Sequence, residues 1–390
     1  MDRVDLKAHV RTLATLREAD TPVVSCYLGV ARGQLARPLA FEKRVRNLRN
    51  TLSGRERQDF ENAVEPIRFF VSARLLPDSN GAAIFSRAGG QRFFLPLQFH
   101  VSLPDWMAVD TVPNIYHLVE LKDTYDRYVV AFCSKEDVRI VAVNLGAVTK
   151  DLWKKRPELR QRLGREWTKL HYQKRRGHHR LRFYREQATL LEKLVGEGGH
   201  SHLLLAGHPA ETGRMREMLP KGVAAKLLDR LPASSRAPLS DVVEASINAF
   251  VAREEQESQA VVQKLVQQLR SGGLASAGTN TCLDALRQGR ADVLVVTADY
   301  SPAPLSTCKV CHLLQEKVSR SSVCPECGSE EWRELDPKEE TVRFAERTGC
   351  GVEVVNQSYA LTRLGGVGCL LRFSVEGDVS PSPELRRVSQ

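Results

Sequence analysis

Four of the nine cysteines stand in two CxxC pairs, and this spacing restricts the local fold more than any other feature of the chain. Cys308 pairs with Cys311 and Cys324 with Cys327, and twelve residues separate the two pairs. Each CxxC forms a tight turn that directs two sulfur atoms inward, so two turns supply the four thiolates of a tetrahedral zinc site. Four thiolates leave no coordination position for water. The spacing therefore predicts a zinc ribbon, at about residues 306–333, with a structural Zn2+.

The other five cysteines stand in apolar or helical contexts that are typical of buried small side chains. They are Cys26, Cys133, Cys282, Cys350 and Cys369. This pattern indicates a metal site in a reducing compartment and no disulfide framework. No window approaches 18 consecutive apolar residues, and the first residues lack the apolar core of a secretory signal. We therefore expect a cytoplasmic protein without a membrane partner.

The positive charge of the chain is concentrated in one place. The whole sequence carries a net charge of +10, whereas the stretch from Lys150 to Arg185 alone has fourteen basic and three acidic residues, a net of +11. The remainder is close to neutral. Such a distribution favours a polyanion bound at one surface over a generally basic protein.

Within this stretch, residues 171–180 interleave arginines with aromatic and imidazole rings. Guanidinium groups bind phosphates and planar groups stack on unpaired bases, so this composition predicts RNA contact, with a solvated loop and the start of a helix as the alternative. Metal binding by its histidines is not expected, because cations flank them and carboxylates are absent nearby. The predicted RNA-binding residues are Lys174, Arg175, Arg176, Gly177, His178, His179, Arg180 and Arg182.

The order of predicted elements indicates an α/β protein of three domains. Residues 1–121 read as an α+β domain, and residues 122–238 as a compact α/β domain with a basic loop followed by a helix from Leu181 to Val195. Residues 239–375 alternate helix and strand, which predicts a three-layer α/β/α domain that contains the ribbon. Residues 376–390, rich in serine, proline and glutamate, predict a disordered tail.

A second short motif, Gly89-Gly90-Gln91, lies between two predicted strands of the first domain. Gly-Gly-Gln is the signature tripeptide of peptide release factors. A hairpin turn that needs glycines for positive φ also accounts for it, and we interpret it as a turn that matches by coincidence.

The segments in order resemble the archaeal and eukaryotic class I peptide chain release factor family, which includes Pelota. The likeness rests on residues 282–296, on the closing stretch from Arg363 to Phe373, and on the ribbon between them. The middle domain agrees through residues 151–155 and through Leu181-Arg182-Phe183, and the resemblance covers about residues 122–375. It implies a three-domain, release-factor-like architecture with a zinc ribbon inserted in the third domain.

Two departures from the family pattern affect function. Where release factors carry Gly-Gly-Gln, just before Leu-Arg-Phe, this chain reads Arg176-Gly177-His178. The Asn-Ile-Lys-Ser motif that reads stop codons is also missing, since residues 114–117 read Asn-Ile-Tyr-His. An arginine in place of the first glycine removes the permissive φ and adds bulk.

With both motifs missing, the chain resembles the bacterial hibernation factors of the family. The resemblance implies a factor that occupies the ribosomal A site of the 70S ribosome, with elongation factor Tu or another translational GTPase as partner. Its basic loop would contact ribosomal RNA near the peptidyl-transferase centre without hydrolysing peptidyl-tRNA. Two alternatives remain open: a release or rescue factor that hydrolyses peptidyl-tRNA, and a Pelota-like factor that recognises stalled ribosomes.

Overall fold

The computed structural model describes residues 3–19, 21–89, 91–125, 127–156, 169–197, 200–234, 237–311, 313–316 and 323–373. Contacts among them divide the chain into two compact units. One unit is built from residues 3–124 together with residues from 255 onward, and the other from residues 125–254. The domain boundaries expected from the sequence stay predictions, and the expected tail, residues 376–390, lies outside the described residues.

The first 124 residues contribute one antiparallel sheet and four helices. The helices are α1 (Arg3–Ala14), α2 (Pro38–Thr51), α3 (Gly54–Ala73) and α4 (Tyr116–Thr124), and the strands are β1 (Val23–Ala31), β2 (Gln34–Leu35), β3 (Gly81–Arg87), β4 (Phe93–Phe99) and β5 (Trp106–Asp110). The strand order is β2-β1-β3-β4, and β5 also pairs with β1. Helices α2 and α3 bury apolar side chains such as Phe41, Phe60 and Ile67 against one face of this sheet.

The unit of residues 125–254 holds a five-stranded mixed sheet. Its strands are β6 (Tyr128–Cys133), β7 (Asp137–Asn144), β8 (Ala147–Lys155), β9 (His202–Gly207) and β10 (Leu227–Pro232), in the order β10-β9-β6-β7-β8. Its helices are α5 (Lys169–Glu197), α6 (Pro209–Met218), α7 (Lys221–Ala224) and the first half of α8 (Leu239–Ser271). The apolar side chains of α5 to α7 pack on one face, and those of α8, such as Val242 and Phe250, pack on the other.

The second half of α8 begins the C-terminal part of the other unit. It is followed by β11 (Ala275–Ala277), α9 (Thr279–Arg287), β12 (Ala291–Thr297), α10 (Pro337–Thr348), β16 (Gly351–Val355), α11 (Tyr359–Thr362) and β17 (Val367–Leu371). The sheet order is β11-β17-β12-β16. Val262 and Leu265 of α8 pack with Val295 of β12, and α9 and α10 also contact β12. Because side chains alternate along a strand, Leu294 and Val296 face away from α8, as the predicted three layers require.

Between β12 and α10 lie three short antiparallel strands that flank the cysteine pairs. They are β13 (Leu305–Cys308), β14 (Leu314–Glu316) and β15 (Trp332–Leu335), in the order β14-β13-β15. These strands stand where the sequence predicts a ribbon. No helix in the described parts of the chain is long and apolar enough to cross a membrane.

One predicted element differs from the structure. The sequence predicts a basic loop ahead of a helix that begins at Leu181, whereas α5 (Lys169–Glu197) already contains residues 174–180. Lysine, arginine, leucine and glutamine are good helix formers, and a single interior glycine costs only about 1 kcal/mol. The helix therefore extends through Gly177.

Candidate RNA-binding helix and candidate metal centre

The C-terminal half of α5 is fixed by apolar burial. Phe183, Tyr184, Ala188, Leu191 and Val195 are buried against the sheet of their unit. These positions follow the helical repeat of three and four residues, so they form one stripe. Arg182 and Arg185 lie outside this stripe and are exposed.

A buried carboxylate holds α5 to α6. Glu211, only 1% exposed, accepts a hydrogen bond from the Tyr184 hydroxyl at 2.6 Å and another from Arg214 Nη1 at 2.8 Å. Arg180 Nη1 lies 3.7 Å from the same carboxylate, and Tyr184 Oη also lies 3.1 Å from the Ser134 carbonyl oxygen. Burial acts to raise the pKa of Glu211, but the hydrogen bonds from Tyr184 and Arg214 and the charge of Arg180 hold it below its usual range. Glu211 is therefore a carboxylate that positions α5.

The predicted RNA-binding residues do not share one environment. Lys174, Arg175 and Arg176 lie in the first half of α5, and their side chains are outside the described part of the structure. A Cβ added at Gly177 would meet no atom within 4 Å. The structure therefore places no steric requirement for glycine at this position.

The remaining members of the set divide into exposed and engaged side chains. His178 is exposed, and Arg182 is exposed while its Nε donates to Glu186 at 3.0 Å. His179 is half-buried, and Arg180 faces Glu211. Arg180 thus has a structural role that the sequence analysis missed. The acid in the first turn of α6, directly after a buried strand, is the signal that points to such an anchor.

The Gly89-Gly90-Gln91 motif lies in the β3–β4 hairpin, as predicted. Gly89 has φ 83°, and a Cβ there would approach Thr21 Cγ2 to 2.7 Å, so this turn position requires glycine. Gln91 Oε1 accepts a hydrogen bond from Nη1 of the buried Arg87 at 3.2 Å, and Arg87 Nη2 donates to the Thr111 carbonyl oxygen at 2.9 Å. Residue 90 lies outside the described residues. Gly89 and Gln91 thus have structural roles in the hairpin.

The four predicted metal ligands converge at the ribbon. All four sulfur atoms lie within 4.8 Å of one another, with Sγ–Sγ distances of 3.4 Å for both the Cys308–Cys327 and the Cys311–Cys324 pairs. A tetrahedral zinc with Zn–S bonds of about 2.3 Å needs sulfur atoms roughly 3.8 Å apart. The cluster therefore has the dimensions of a four-thiolate metal site.

In the first CxxC turn the backbone favours the thiolate of Cys308, whereas burial and the neighbouring sulfur atoms raise the pKa of Cys311. Hydrogen bonding from the backbone of Cys311, with further help from that of Val310, lowers the pKa of the Cys308 thiol to about 6. Gly328 follows the second pair with φ 73°, a left-handed conformation that glycine adopts at little cost. The donor set is soft and closed, so a metal bound here would hold the ribbon together and would have no site for water.

The structure thus contains one basic helix and one cysteine cluster. Comparison with known proteins finds a family match for the region that contains the helix. Residues 113–250 match the model of bacterial archaeo-eukaryotic release factor family 10. The match covers about a third of the chain and includes α5 and its sheet. It confirms the predicted release-factor resemblance for this region.

Solved structures give more distant similarities. An archaeal translation termination factor, aRF1, is 15% identical, with 96% of this chain and 99% of that chain covered and a TM-score of 0.26. Archaeal Pelota, from a model of ribosome-bound Pelota and ABCE1, is 14% identical over 96% and 95%, with a TM-score of 0.40. Dom34 of S. cerevisiae, a translation termination-like factor that interacts with Hbs1, is 9% identical over 77% and 82%, with a TM-score of 0.41. Similarities at this level carry no argument about activity or partners. No curated protein matches the chain.

Proposed function

We propose that this protein is a ribosome-binding translation factor that occupies the A site of the 70S ribosome. The first half of α5 would lie near the peptidyl-transferase centre and contact ribosomal RNA without hydrolysing peptidyl-tRNA. In this proposal the protein protects idle ribosomes, as a hibernation factor does. Its delivery partner would be elongation factor Tu or another translational GTPase.

The observation that carries the proposal is the position of the charge. The stretch with a net charge of +11 falls wholly inside residues 113–250, the region that matches the release factor family. Binding to the phosphate backbone of a nucleic acid depends on such clustered cations, because each neutralised phosphate releases counterions. RNA contact by Lys174, Arg175, Arg176, His178 and Arg182 follows as part of the proposal.

The conformation at Arg176-Gly177-His178 supports binding without hydrolysis. These residues continue α5, so their backbone N–H and C=O groups are taken up within the helix. A backbone group used in this way is not free to position a water molecule for attack on an ester. The missing glycine and glutamine agree with this interpretation.

The cysteine cluster has a supporting role in the proposal. We assign Zn2+ to Cys308, Cys311, Cys324 and Cys327, because four thiolates at these distances suit zinc. When bound, the ion supplies cross-linking of the two CxxC turns. No step of the proposed function passes through it.

The test is co-sedimentation of the protein with vacant 70S ribosomes over a series of salt concentrations, with peptide release measured in parallel on a loaded complex. We expect binding without release. Replacing Arg175 and Arg176 by glutamine should weaken binding and reduce the slope of log affinity against log salt by about 2, since each lost phosphate contact removes about 1. Arg180 is unsuitable for this test, because its replacement would also disturb the Glu211 anchor.

The matched control replaces Lys193 and Lys221 by glutamine, since both are exposed and lie in the same unit. This variant should keep the wild-type slope. Peptide release that His178→Ala abolishes would refute the non-hydrolytic proposal and support a release or rescue factor. Subunit dissociation in the presence of a translational GTPase would support the Pelota-like alternative.

A further inference from the structure

Strand β8 presents basic and aromatic side chains at the open edge of its sheet. It is the last strand in the order β10-β9-β6-β7-β8, so only β7 pairs with it in the described structure. Lys150, Lys154 and Lys155 are exposed along it, and Trp153 is 57% exposed. A single exposed apolar side chain is ordinary on a protein surface, but this one lies among exposed lysines on an edge strand.

The Trp153 ring is held in place although it is exposed. Its Nε1–H donates to Asp137 Oδ2 at 3.0 Å, and Lys155 Nζ lies 4.5 Å from the ring centroid. Beside it, Arg139 Nε donates to Asp151 Oδ1 at 2.9 Å, which engages the one acidic side chain of the strand. The indole is therefore pre-ordered, and binding against it would cost little side-chain entropy.

The lysines of β8 have no such carboxylate partners. Within the described residues, no ion pair joins Lys150, Lys154 or Lys155 to an acidic side chain, whereas Asp137 and Asp151 are both engaged. Alternation along the strand places Trp153 and Lys155 on one side and Lys150 and Lys154 on the other, around Leu152, which packs towards the core that α5 shares. Lysines that form no ion pair with the described acidic side chains thus lie on both faces of the strand that carries the fixed Trp153 ring.

We propose that the β8 edge is a binding surface for single-stranded RNA, in which Trp153 stacks on a base and the three lysines contact phosphates. Aromatic stacking combined with a cationic track is the chemistry that binds unpaired nucleic acid without sequence preference. The surface adds a second RNA contact to the one proposed for α5. The inference rests on the proposed function only for the identity of the RNA as ribosomal.

The test uses a fluorescently labelled ten-nucleotide oligouridine and measures binding by anisotropy at several salt concentrations. Trp153→Ala should weaken binding about tenfold with an unchanged salt slope, because stacking is lost and no phosphate contact is removed. Trp153→Phe, which keeps an aromatic face, should retain most of the affinity. Lys154→Gln with Lys155→Gln should reduce the salt slope by about 1.4, since each phosphate contact on a single strand contributes roughly 0.7.

The matched control is Tyr359→Ala. Tyr359 is 80% exposed and also has a cation beside its ring, since Arg363 lies 5.8 Å from the centroid, but it belongs to the other unit. This variant should bind like the wild type. Equal weakening by Trp153→Ala and Tyr359→Ala, or wild-type binding by Trp153→Ala with an unchanged melting temperature, would refute the inference.

Two assays separate this inference from the proposed function. If the protein sediments with ribosomes but Trp153→Ala leaves oligouridine binding unchanged, the inference is refuted and the proposed function is not. Oligouridine binding that depends on Trp153, in a protein that never sediments with ribosomes, would refute the proposed function alone. Loss of ribosome binding by Trp153→Ala with unchanged oligouridine binding would assign the edge to a protein contact and overturn the inference.

Discussion

At the scale of single residues, Glu211 decides how α5 is held. Tyr184 and Arg214 donate hydrogen bonds to this buried carboxylate, and Arg180 forms an ion pair with it. Tyr184 and Arg180 belong to α5. A buried acceptor that serves several donors is costly to remove, because each donor then loses its partner. Arg180, which the sequence places among RNA-binding residues, is partly committed to this contact.

We predict that Glu211→Gln lowers the free energy of unfolding by about 1–3 kcal/mol, since the amide keeps an acceptor for Tyr184 but loses the charge that faces Arg180 and Arg214. Urea unfolding measures this change. Glu217→Gln, at an exposed position of the same helix, should change stability by less than about 0.5 kcal/mol. Equal effects of the two substitutions would contradict the anchoring role.

The same residue gives a pH dependence. The pKa of Glu211 is lower in the folded protein than in the unfolded chain, so its contribution to stability is complete above the unfolded value of about 4.3 and is lost as the pH falls through the folded value. The stability difference between wild type and Glu211→Gln should therefore shrink on acidification below about pH 4. A difference that is constant down to pH 3 would count against a stabilised carboxylate.

At the scale of elements, a side chain of α10 caps the N-terminus of α4 and so joins the two helices. Glu339, in the first turn of α10, accepts hydrogen bonds from the backbone N–H groups of Ile115 and Tyr116 at 2.7 and 3.0 Å. Both bonds go to the same oxygen, Oε2. They satisfy two N–H groups at the start of α4 that have no partner within the helix.

Desolvation raises the pKa of Glu339 to about 8, although the N–H of Tyr116 acts in the opposite direction. A carboxyl group with a raised folded pKa contributes stability that is complete below its unfolded pKa of about 4.3 and is lost as the pH rises towards 8. We predict that wild type loses melting temperature relative to Glu339→Gln between pH 5 and pH 8. The amide keeps the acceptor oxygen and does not titrate in this range.

Glu340→Gln serves as the comparison for this prediction, because Glu340 is also on α10 but pairs with Arg343 of its own helix. Its difference from wild type should not follow the pH course predicted for Glu339. A wild-type minus Glu339→Gln difference that stays level from pH 5 to pH 8 would show that Glu339 is ionised throughout.

At the scale of the whole molecule, the ribbon is a small element whose four clustered cysteines could hold a metal, and we expect its stability to depend on that metal. Its strands have three or four residues each, which is too few to bury an independent core. Structural zinc sites contribute folding free energy directly. On its outer side, Arg333 of β15 donates to Thr111 Oγ1 at 2.9 Å and pairs with Glu18 at 2.8 Å, so the ribbon also contacts the first 124 residues.

We predict one zinc per chain by elemental analysis, and a rise in amide hydrogen exchange across residues 305–335 after removal by a chelator or by Cys324→Ser. Residues 125–254 belong to the other compact unit and should exchange as before. Cys282→Ser, at a buried cysteine outside the cluster, should retain the metal. Substoichiometric metal in freshly purified protein would contradict the assignment.

Features that depend on neighbours along the chain were predictable from the sequence. The CxxC spacing located the four clustered cysteines, and Gly89 marked the β3–β4 turn, because each signal lies within a few residues of the element that it specifies. The concentration of charge in residues 150–185 is likewise a property of sequence alone. The release-factor resemblance, now confirmed for residues 113–250, followed from the order of such local signals.

The contacts between distant polar groups became visible only in the folded structure. Tyr184 reaches Glu211 across 27 residues, and Glu339 reaches Tyr116 across 223, so no local pattern announces either contact. The start of α5 at Lys169 was also hidden, because Gly177 and the clustered charge are typical of a loop, whereas burial of the helix's C-terminal half and the Arg180–Glu211 contact stabilise helix there. The position of β8 at one end of its sheet, among the described strands, depends on strand order, which is set by packing of the whole sheet.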